Sequence, residues 1–257
     1  MAILNQKGGV GKTTTTINLG AYLSKQGKKV LLVDADPQSN TTSGLGLTKR
    51  EHAKTLCDVL LSGQEASSVV QKTNLKNLFL IPADPRLASA EVDLAGKQDR
   101  EHMLKNKISG LEYYDYILID CPPALSLLTI NVLVASDLVL IPVQAEYYAL
   151  EGLSQLLQVM QSVKRSFNPN LELLGVAVTM FDKRTSLSEQ VYSELKENFG
   201  DKLFKTVIPR NIRLAEAPSF GKPISEHDKW SKGARAYKNL AKELTEKIPK
   251  SDTEEVK

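Results

Sequence analysis

The sequence lacks the features of a membrane-spanning, secreted or disulfide-stabilised protein. No run in its 257 residues approaches the ~20 apolar residues that a spanning helix needs. No charged-then-apolar leader opens the chain. The two cysteines, Cys57 and Cys121, are far apart and have no metal-ligand spacing. We therefore expect a cytoplasmic protein with reduced, buried thiols.

Aromatic residues and net charge are also scarce. We expect the single tryptophan, Trp230, and the pair Tyr147 and Tyr148 to pack against the protein rather than to stack on nucleic-acid bases. The formal net charge of +3 does not by itself imply a nucleic-acid partner. Residues 202–238, however, contain nine Lys or Arg against three Asp or Glu. This basic region is either an ordinary solvated surface or a binding site for an anionic partner.

Strand-like and helix-like runs alternate along the sequence. The apolar runs at 29–34, 116–120 and 138–143 are typical of buried strands. The alternation predicts an α/β fold, in which a mainly parallel twisted sheet carries helices on both faces. No linker, repeat or low-complexity segment is visible. We therefore predict a single domain over residues 1–257, in which 249–257 is a disordered tail.

Composition gives three local expectations. Residues 36–46 are rich in Pro, Ser, Asn, Thr and Gly, which indicates a long loop. Residues 206–208 precede Pro209 and are predicted to form a short strand. Residues 231–248 form an amphipathic helix that has no Phe or Trp on its apolar face. We expect this helix to dock on the core rather than on a membrane.

The strongest chemical signal is a glycine-rich loop at residues 6–14, between a short apolar run and a helix-like segment. Residues 11–13 (Gly-Lys-Thr) fit the end of a phosphate-binding loop. Gln6 stands where the first glycine is usual, and Lys7 is added after it. Glycines let successive backbone N–H groups face an anion, and a helix N-terminus adds positive charge. The loop therefore predicts a site for nucleotide phosphates.

Acidic residues end two of the predicted strands. Asp120 ends one strand, where a carboxylate either holds Mg²⁺ beside bound phosphates or makes a turn. Asp34 and Asp36 end another, and side chains two residues apart point the same way in an extended strand. Because parallel strands end at one edge of the sheet, both should lie beside the phosphate loop. One of them can orient or deprotonate water, although an Asx turn into Pro37 is the alternative.

Five separated motifs resemble one family. They are KGGVGKTT at 7–14, DADPQSN at 34–40, LIDCPP at 118–123, IPVQAEYYALEGL at 141–153 and IPRNIRLAEAPSFGKPI at 208–224. The resemblance is to the ParA/Soj partition ATPases of the deviant Walker-A group, which also contains MinD. It implies the P-loop fold of that group and weak, Mg²⁺-dependent hydrolysis of ATP to ADP and phosphate.

The resemblance also implies roles around the nucleotide. Lys7, Lys12 and Asp36 would be catalytic, with Lys7 reaching the partner's ATP and Asp36 orienting water. Thr13, Asp36 and Asp120 would surround Mg²⁺. The nucleotide-contacting residues that the motifs imply are Lys7, Gly8, Gly9, Val10, Gly11, Lys12, Thr13, Thr14, Asp120, Met180, Pro209 and Asn211.

Partners are implied by the same resemblance. ATP would close two subunits into a sandwich homodimer, and Gly8 would lie at the contact, where a side chain would collide. The dimer would bind double-stranded DNA on the nucleoid without sequence specificity. A ParB-type centromere-binding protein would stimulate hydrolysis and release, so that a chromosome or plasmid moves. The DNA-binding candidates are Arg184, Arg213, Lys222, Lys232 and Arg235.

Three other functions stay open at the level of sequence. A MinD-like positioning ATPase would bind a membrane through its last helix. An iron–sulfur reductase would need two cysteines per subunit at the dimer axis, and Cys57 lies outside any motif. A scaffold would bind ATP without hydrolysing it.

Overall fold

The structure is a computed structural model that describes residues 1–47, 54–147 and 149–248. The disorder predicted for 249–257 and the packing predicted for Tyr148 lie outside these residues. Within the described part of the chain, no helix has both the length and the apolar character needed to cross a membrane.

Seven strands build the sheet. They are β1 (Ala2–Ile3), β2 (Val30–Asp34), β3 (Gln71–Lys72), β4 (Leu78–Ile81), β5 (Tyr116–Asp120), β6 (Leu138–Gln144) and β7 (Glu172–Thr179). Their order across the sheet is β3-β4-β2-β5-β1-β6-β7. Every neighbouring pair is parallel except β3 with β4. The predicted mainly parallel sheet is confirmed. The edge strand β3 was not predicted, because two residues are too few to show a periodic pattern.

Helices surround the sheet. They are α1 (Lys12–Lys25), α2 (Asn40–Gly44), α3 (Leu56–Leu61), α4 (Leu87–Ala95), α5 (Met103–Ile108), α6 (Leu127–Val134), α7 (Ala149–Ser166), α8 (Ser186–Phe199), α9 (Ile212–Glu216), α10 (Ile224–His227) and α11 (Lys232–Lys247). Four short 3₁₀ turns occupy Ala66–Ser68, Arg100–His102, Gly200–Lys202 and Ala217–Phe220. The short helices α9 and α10 were not predicted.

The two faces of the sheet bury separate apolar clusters. Leu31 of β2 belongs to the cluster beneath α3 to α8, while its neighbour Leu32 belongs to the cluster beneath α1 and α11. Because successive side chains on a strand point to opposite faces, β2 is buried on both sides. This double burial explains why its sequence is continuously apolar rather than alternating.

The last helix, α11, docks on the core as predicted. Tyr237, Leu240 and Leu244 on its apolar face are all buried. The Tyr237 hydroxyl lies 3.1 Å from the Thr15 hydroxyl on α1. The apolar face of α11 is therefore used inside the domain.

The expectation of a loop over 36–46 was wrong in part, because α2 occupies Asn40–Gly44. The cause is the buried Asp34 carboxylate. It accepts hydrogen bonds from the Thr42 backbone N–H at 2.8 Å and from the Thr42 hydroxyl at 2.6 Å. A side chain at the end of β2 thus fixes one helical turn in a polar segment, which composition alone does not reveal.

The strand predicted at 206–208 was also wrong. Isolated bridges join Leu203 to Val176 and Pro209 to Phe181 on either side of it, and the Ile208 backbone N–H donates to the Val178 carbonyl at 2.8 Å. The Thr206 backbone N–H donates instead to the Glu243 carboxylate on α11 at 2.9 Å. At Thr206, a side chain thus supplies the hydrogen bond that a neighbouring strand would have supplied.

Candidate functional site

The predicted phosphate loop connects β1 to α1 at the carboxyl edge of the sheet. Gly9 and Gly11 have φ angles of +75° and +88°, in the left-handed region that favours glycine. Gly8 has no positive φ, and a Cβ placed on it would meet no atom within 4 Å. The chain's own conformation therefore requires glycine at positions 9 and 11 but not at position 8.

Neighbouring elements hold the loop in place. The Asn5 amide donates to a carbonyl of β6 at 2.8 Å, and the Gln6 amide donates to the Gly152 carbonyl of α7 at 3.1 Å. At the end of β7, the Thr179 hydroxyl donates to the Val10 carbonyl at 2.8 Å. Gln6, which replaces the usual first glycine, thus anchors the loop to α7.

Lys12 is nearly buried in the loop. The Lys12 Nζ donates to the Lys7 carbonyl at 2.9 Å, and Lys12 is 6% exposed. Burial lowers the pKa of Lys12, while the nearby Asp120 carboxylate raises it. The ammonium group is therefore positioned by the loop itself, next to the acidic edge of the sheet.

Asp120, at the end of β5, is the centre of a buried polar cluster. Its Oδ2 accepts hydrogen bonds from the Thr13 and Thr41 hydroxyls, each at 2.7 Å. Burial raises the pKa of Asp120 to about 6, and these two hydrogen bonds oppose that rise. Asp120 therefore joins the start of α1 to the segment that follows β2.

Asp34 and Asp36 have different surroundings. Asp34 pairs in register with Asp120 across β2 and β5, and burial raises the pKa of Asp34 to about 7. Asp36 is 6% exposed and accepts from the Gln38 N–H at 2.9 Å, which is the Asx-type contact considered as an alternative. The Asp36 charge also raises the pKa of Asp120, so the two carboxylates lie within electrostatic reach of each other.

Sequence reasoning missed Thr41 and Thr42, whose hydroxyls bind the two buried carboxylates. The signal that could have found them is the polar run after β2, in which two adjacent threonines follow the DADPQSN motif. Adjacent hydroxyls on a short helix can each donate a hydrogen bond to a carboxylate at the end of a different strand.

A cavity of about 280 Å³ lies next to the start of α1. Thr13 and Thr14 form one wall, and Leu214 and Pro218 contribute apolar surface. Lys222, predicted to bind DNA, lines this cavity and does not line the cleft described below. The cavity is therefore placed to receive a group attached to phosphates in the loop.

The three residues expected at the adenine do not line this cavity. Met180 follows β7 with a φ of +51°, and Pro209 pairs with Phe181 in an isolated bridge. The Asn211 side chain caps α9 by accepting from the Leu214 N–H at 3.3 Å. Asn211 thereby positions Leu214, which does line the cavity.

A second, larger hollow, which we call the basic cleft, has a volume of about 650 Å³. Five cationic residues line it: Lys183, Arg184, Arg210, Lys232 and Arg235. Asp182 is the one acidic residue in its lining. Three of the predicted DNA contacts thus lie together, and sequence reasoning missed Lys183 and Arg210, which neighbour Arg184 and Pro209 in the sequence.

Two of the three arginines predicted to bind DNA are paired with carboxylates. Arg184 Nη2 lies 2.7 Å from Asp182, and this guanidinium lowers the pKa of the Asp182 carboxyl. Arg213 lies outside the basic cleft, at 2.9 Å from Glu216 and 3.7 Å from Asp228. Both guanidinium groups are more than half exposed, so the pairs are weak enough to exchange for phosphate.

The packing expected of Trp230 and Tyr147 was wrong, since these residues are 79% and 77% exposed. The expected burial of both cysteines is confirmed. Within the described ranges, no group of three or more His, Cys, Asp or Glu residues could hold a metal ion.

A phosphate loop at the start of a helix, with a buried aspartate on the adjacent strand, defines a P-loop nucleotide-binding protein. The AAA domain family model matches residues 1–173. The chain is 54% identical over 245 residues to sporulation initiation inhibitor protein Soj of Bacillus subtilis (strain 168), covering 95% of this chain and 97% of that protein. It is 47% identical over 247 residues to chromosome partitioning protein ParA of Caulobacter vibrioides (strain NA1000 / CB15N), covering 95% and 92%. The chain therefore belongs to the Soj/ParA family of chromosome-partitioning ATPases.

Solved structures share this fold. Cobyrinic acid a,c-diamide synthase from Mycobacterium smegmatis, with bound ADP and magnesium, superposes with a TM-score of 0.82 at 37% identity over 94% of this chain and 91% of that one. The ATP complex of a Cyanothece McdA variant gives a TM-score of 0.85 at 30% identity over 98% of this chain and 97% of that one.

Proposed function

We propose that this chain is an ATP-driven DNA segregation switch, in which a Mg-ATP sandwich dimer binds DNA and hydrolysis releases it. The observation that carries the proposal is the buried contact between Thr13 of the phosphate loop and Asp120 of β5. This pair places a hydroxyl and a carboxylate, the oxygen ligands that hold Mg²⁺ in ATPases, at the edge of the sheet where the phosphate loop lies.

The residues present fit Mg²⁺. Mg²⁺ prefers oxygen ligands and is held by one or two carboxylates together with substrate phosphates. The Thr13 hydroxyl and the carboxylates of Asp36 and Asp120 offer such oxygens, and Asp120 is fully buried. When bound, Mg²⁺ would offset the negative charge on the β- and γ-phosphates.

Each side chain of the loop has a proposed task. The backbone N–H groups of 8–11 and the Thr14 hydroxyl bind phosphate oxygens. Lys12, held by the Lys7 carbonyl, places its ammonium at the β/γ-phosphates. Asp36 orients the attacking water, for which its place just after β2, within electrostatic reach of Asp120, is suitable.

The nucleotide base would occupy the 280 Å³ cavity beside Thr14. Leu214 and Pro218 give it apolar walls, which suit the faces of a purine. Asn211 supports this cavity through α9. Met180 and Pro209 would contact only a part of the nucleotide that extends beyond the cavity, since neither lines it and Pro209 lines the basic cleft.

The dimer is proposed from Lys7 and Gly8. Glycine at position 8 has no explanation within one chain, because its Cβ would meet no atom and its φ is not positive. A second subunit that packs closely against position 8 would leave no room for a side chain, which would explain the glycine. Lys7 would then neutralise phosphate charge in the opposite site.

DNA binding is proposed for the basic cleft and the neighbouring Arg213. Cations spaced over one surface contact phosphates and give affinity that is independent of sequence and sensitive to salt. Lys222 is a weaker candidate, because it lies at the nucleotide cavity. A ParB-type partner would stimulate an otherwise slow hydrolysis, and the protein would act in the cytoplasm on the nucleoid.

The test uses the Asp36→Ala variant, which should bind ATP but not hydrolyse it. Sedimentation in Mg-ATP should give a dimer, and in Mg-ADP a monomer. Lys12→Ala should bind neither nucleotide. Normal hydrolysis by Asp36→Ala would remove Asp36 from the catalytic role, and a monomer in Mg-ATP would contradict the sandwich dimer.

The membrane alternative makes a different prediction. A MinD-like protein would pellet with anionic liposomes in ATP through its last helix. The burial of Tyr237, Leu240 and Leu244 supports the docked state instead. ATP-dependent pelleting without DNA binding would favour the alternative.

A further inference from the structure

Trp230 is an exposed tryptophan that the proposed ATPase site does not use. It is 79% exposed, the largest fraction among the exposed large apolar residues of the described ranges. A tryptophan carries more apolar surface than other side chains, so leaving it in water is unfavourable unless a partner covers it.

The backbone beneath Trp230 is held rigidly. The backbone N–H of Trp230 donates to the Asp228 carboxylate at 3.1 Å. The Ser231 hydroxyl donates to the Asp228 carbonyl at 2.9 Å and accepts from the Ala234 N–H at 3.1 Å, which caps α11. The indole therefore projects from a fixed turn at the start of a helix, and presenting it to a partner costs little backbone entropy.

Cations lie near this turn. The Lys229 Nζ lies 5.3 Å from the centre of the indole ring. The Asp228 carboxylate, which accepts from the Trp230 backbone, is 3.7 Å from Arg213. Lys232 and Arg235 of α11, which begins two residues after Trp230, line the basic cleft. The turn that carries the indole thus joins the contact to Arg213 with the helix that lines the basic cleft.

We propose that Trp230 enters a groove of double-stranded DNA and packs against its sugars and bases, while the cations near the turn hold phosphates. The inference rests on the DNA binding proposed above and adds an apolar contact to it. A polyanion fits the charge of the adjoining basic cleft, whose lining among the described residues contains five cations and a single acidic residue. A second copy of the chain would bring like charges together. Apolar side chains that insert from a cationic surface are an established means of gripping a groove.

The apolar contact and the phosphate contacts respond differently to salt. Each lost phosphate contact lowers the slope of log K against log salt by about 0.9, because fewer counterions are released. Loss of an indole contact leaves that slope unchanged and weakens binding at every salt concentration. Trp230→Ala should weaken binding to random-sequence duplex DNA about tenfold or more in Mg-ATP, because the variant loses the burial of a large apolar side chain against the groove.

Four variants separate these effects. Trp230→Ala should lose affinity at constant slope, whereas Lys232→Ala should reduce the slope by about one. Tyr113→Ala removes another aromatic residue, 60% exposed, and should bind like the wild type. Trp230→Phe should recover part of the affinity. A Trp230→Ala variant with wild-type affinity, or with a reduced slope, would overturn the proposal.

Fluorescence gives a second readout that needs no variant. Trp230 is the single tryptophan of the chain, so all indole emission comes from it. Duplex DNA added in Mg-ATP should change this emission and protect it from acrylamide quenching. DNA binding without protection would contradict the groove contact while leaving the proposed function intact. No DNA binding at all, together with a blue shift on anionic phosphatidylglycerol vesicles, would overturn both and assign the surface to a membrane.

Discussion

Asp120 links the phosphate loop to the segment that follows β2. Its Oδ2 accepts from Thr13 on α1 and from Thr41 on α2. Without these donors the buried Oδ2 would be left unsatisfied, which is unfavourable. At the scale of single residues, we therefore expect a ligand that draws the Thr13 hydroxyl away from Asp120 to alter the hydrogen bond that Asp120 accepts from Thr41 on α2.

Thr41→Val tests the strength of this link. It removes the donor at nearly constant volume, so the free energy of unfolding should fall by about 1–3 kcal/mol. Urea denaturation without nucleotide measures the change. Thr41→Ser, which keeps the hydroxyl, should retain most of the stability. Equal stability of the valine variant and the wild type would show that Asp120 does not depend on Thr41.

The raised pKa values of Asp34 (about 7) and Asp120 (about 6) predict a pH dependence of stability. The unfolded carboxyls have pKa values near 3.9. Between about pH 4 and 7 the folded protein therefore binds more protons than the unfolded chain, so the free energy of unfolding falls as pH rises.

Urea denaturation in EDTA, without nucleotide, at several pH values across this window measures the effect. Asp34→Asn, which cannot ionise, should show a shallower decline than the wild type. A wild-type stability that rises over the same window would mean that these two carboxyls titrate at ordinary pKa values.

At the scale of elements, glycines of the phosphate loop are needed for two different reasons. Position 11 needs glycine for its backbone conformation, and position 8 needs it for the proposed subunit contact. Gly11→Ala forces a side chain into φ +88° and should cost about 1–2 kcal/mol of stability. A Cβ at position 8 would meet no atom of its own chain within 4 Å, so Gly8→Val should leave the thermal stability of the nucleotide-free protein nearly unchanged. It should nevertheless prevent the ATP-dependent dimer seen by sedimentation. A Gly8→Val protein that dimerises normally would place the subunit contact elsewhere.

Gly175 in β7 shows where packing alone demands glycine. A Cβ there would collide with the Lys202 carbonyl oxygen and lie 2.8 Å from the Phe204 ring. Gly175→Ala should lower the free energy of unfolding by about 3 kcal/mol. Gly110→Ala, where a Cβ would meet nothing within 4 Å, is the matched control and should change stability by less than about 0.5 kcal/mol.

Sequence periodicity was sufficient for the long elements and insufficient for the short ones. Buried strands such as β2 and β5, and the amphipathic α11, follow from apolar pattern. The helix α2 does not, because the Asp34 carboxylate fixes it from another element. The segment 206–208 was mistaken for a strand for a similar reason, since Glu243 of α11 binds its backbone.

At the scale of the whole molecule, the loop and Asp120 could be predicted because each lies in one recognisable motif. The basic cleft could not be outlined, since Lys183, Arg184 and Arg210 meet residues of α11 only after folding. The exposure of Trp230 could not be predicted from the sequence either, because an average tryptophan is largely buried. Spatial clusters assembled from distant segments require the fold.

DNA affinity in the two nucleotide states tests the central claim most directly. Anisotropy of a labelled random-sequence duplex should be measured with Asp36→Ala protein in Mg-ATP, and with wild-type protein in Mg-ADP, over a range of salt. We predict tight binding in Mg-ATP, with affinity that falls steeply with salt, and binding at least about tenfold weaker in Mg-ADP. Equal affinity in the two nucleotide states would contradict an ATP-driven DNA switch.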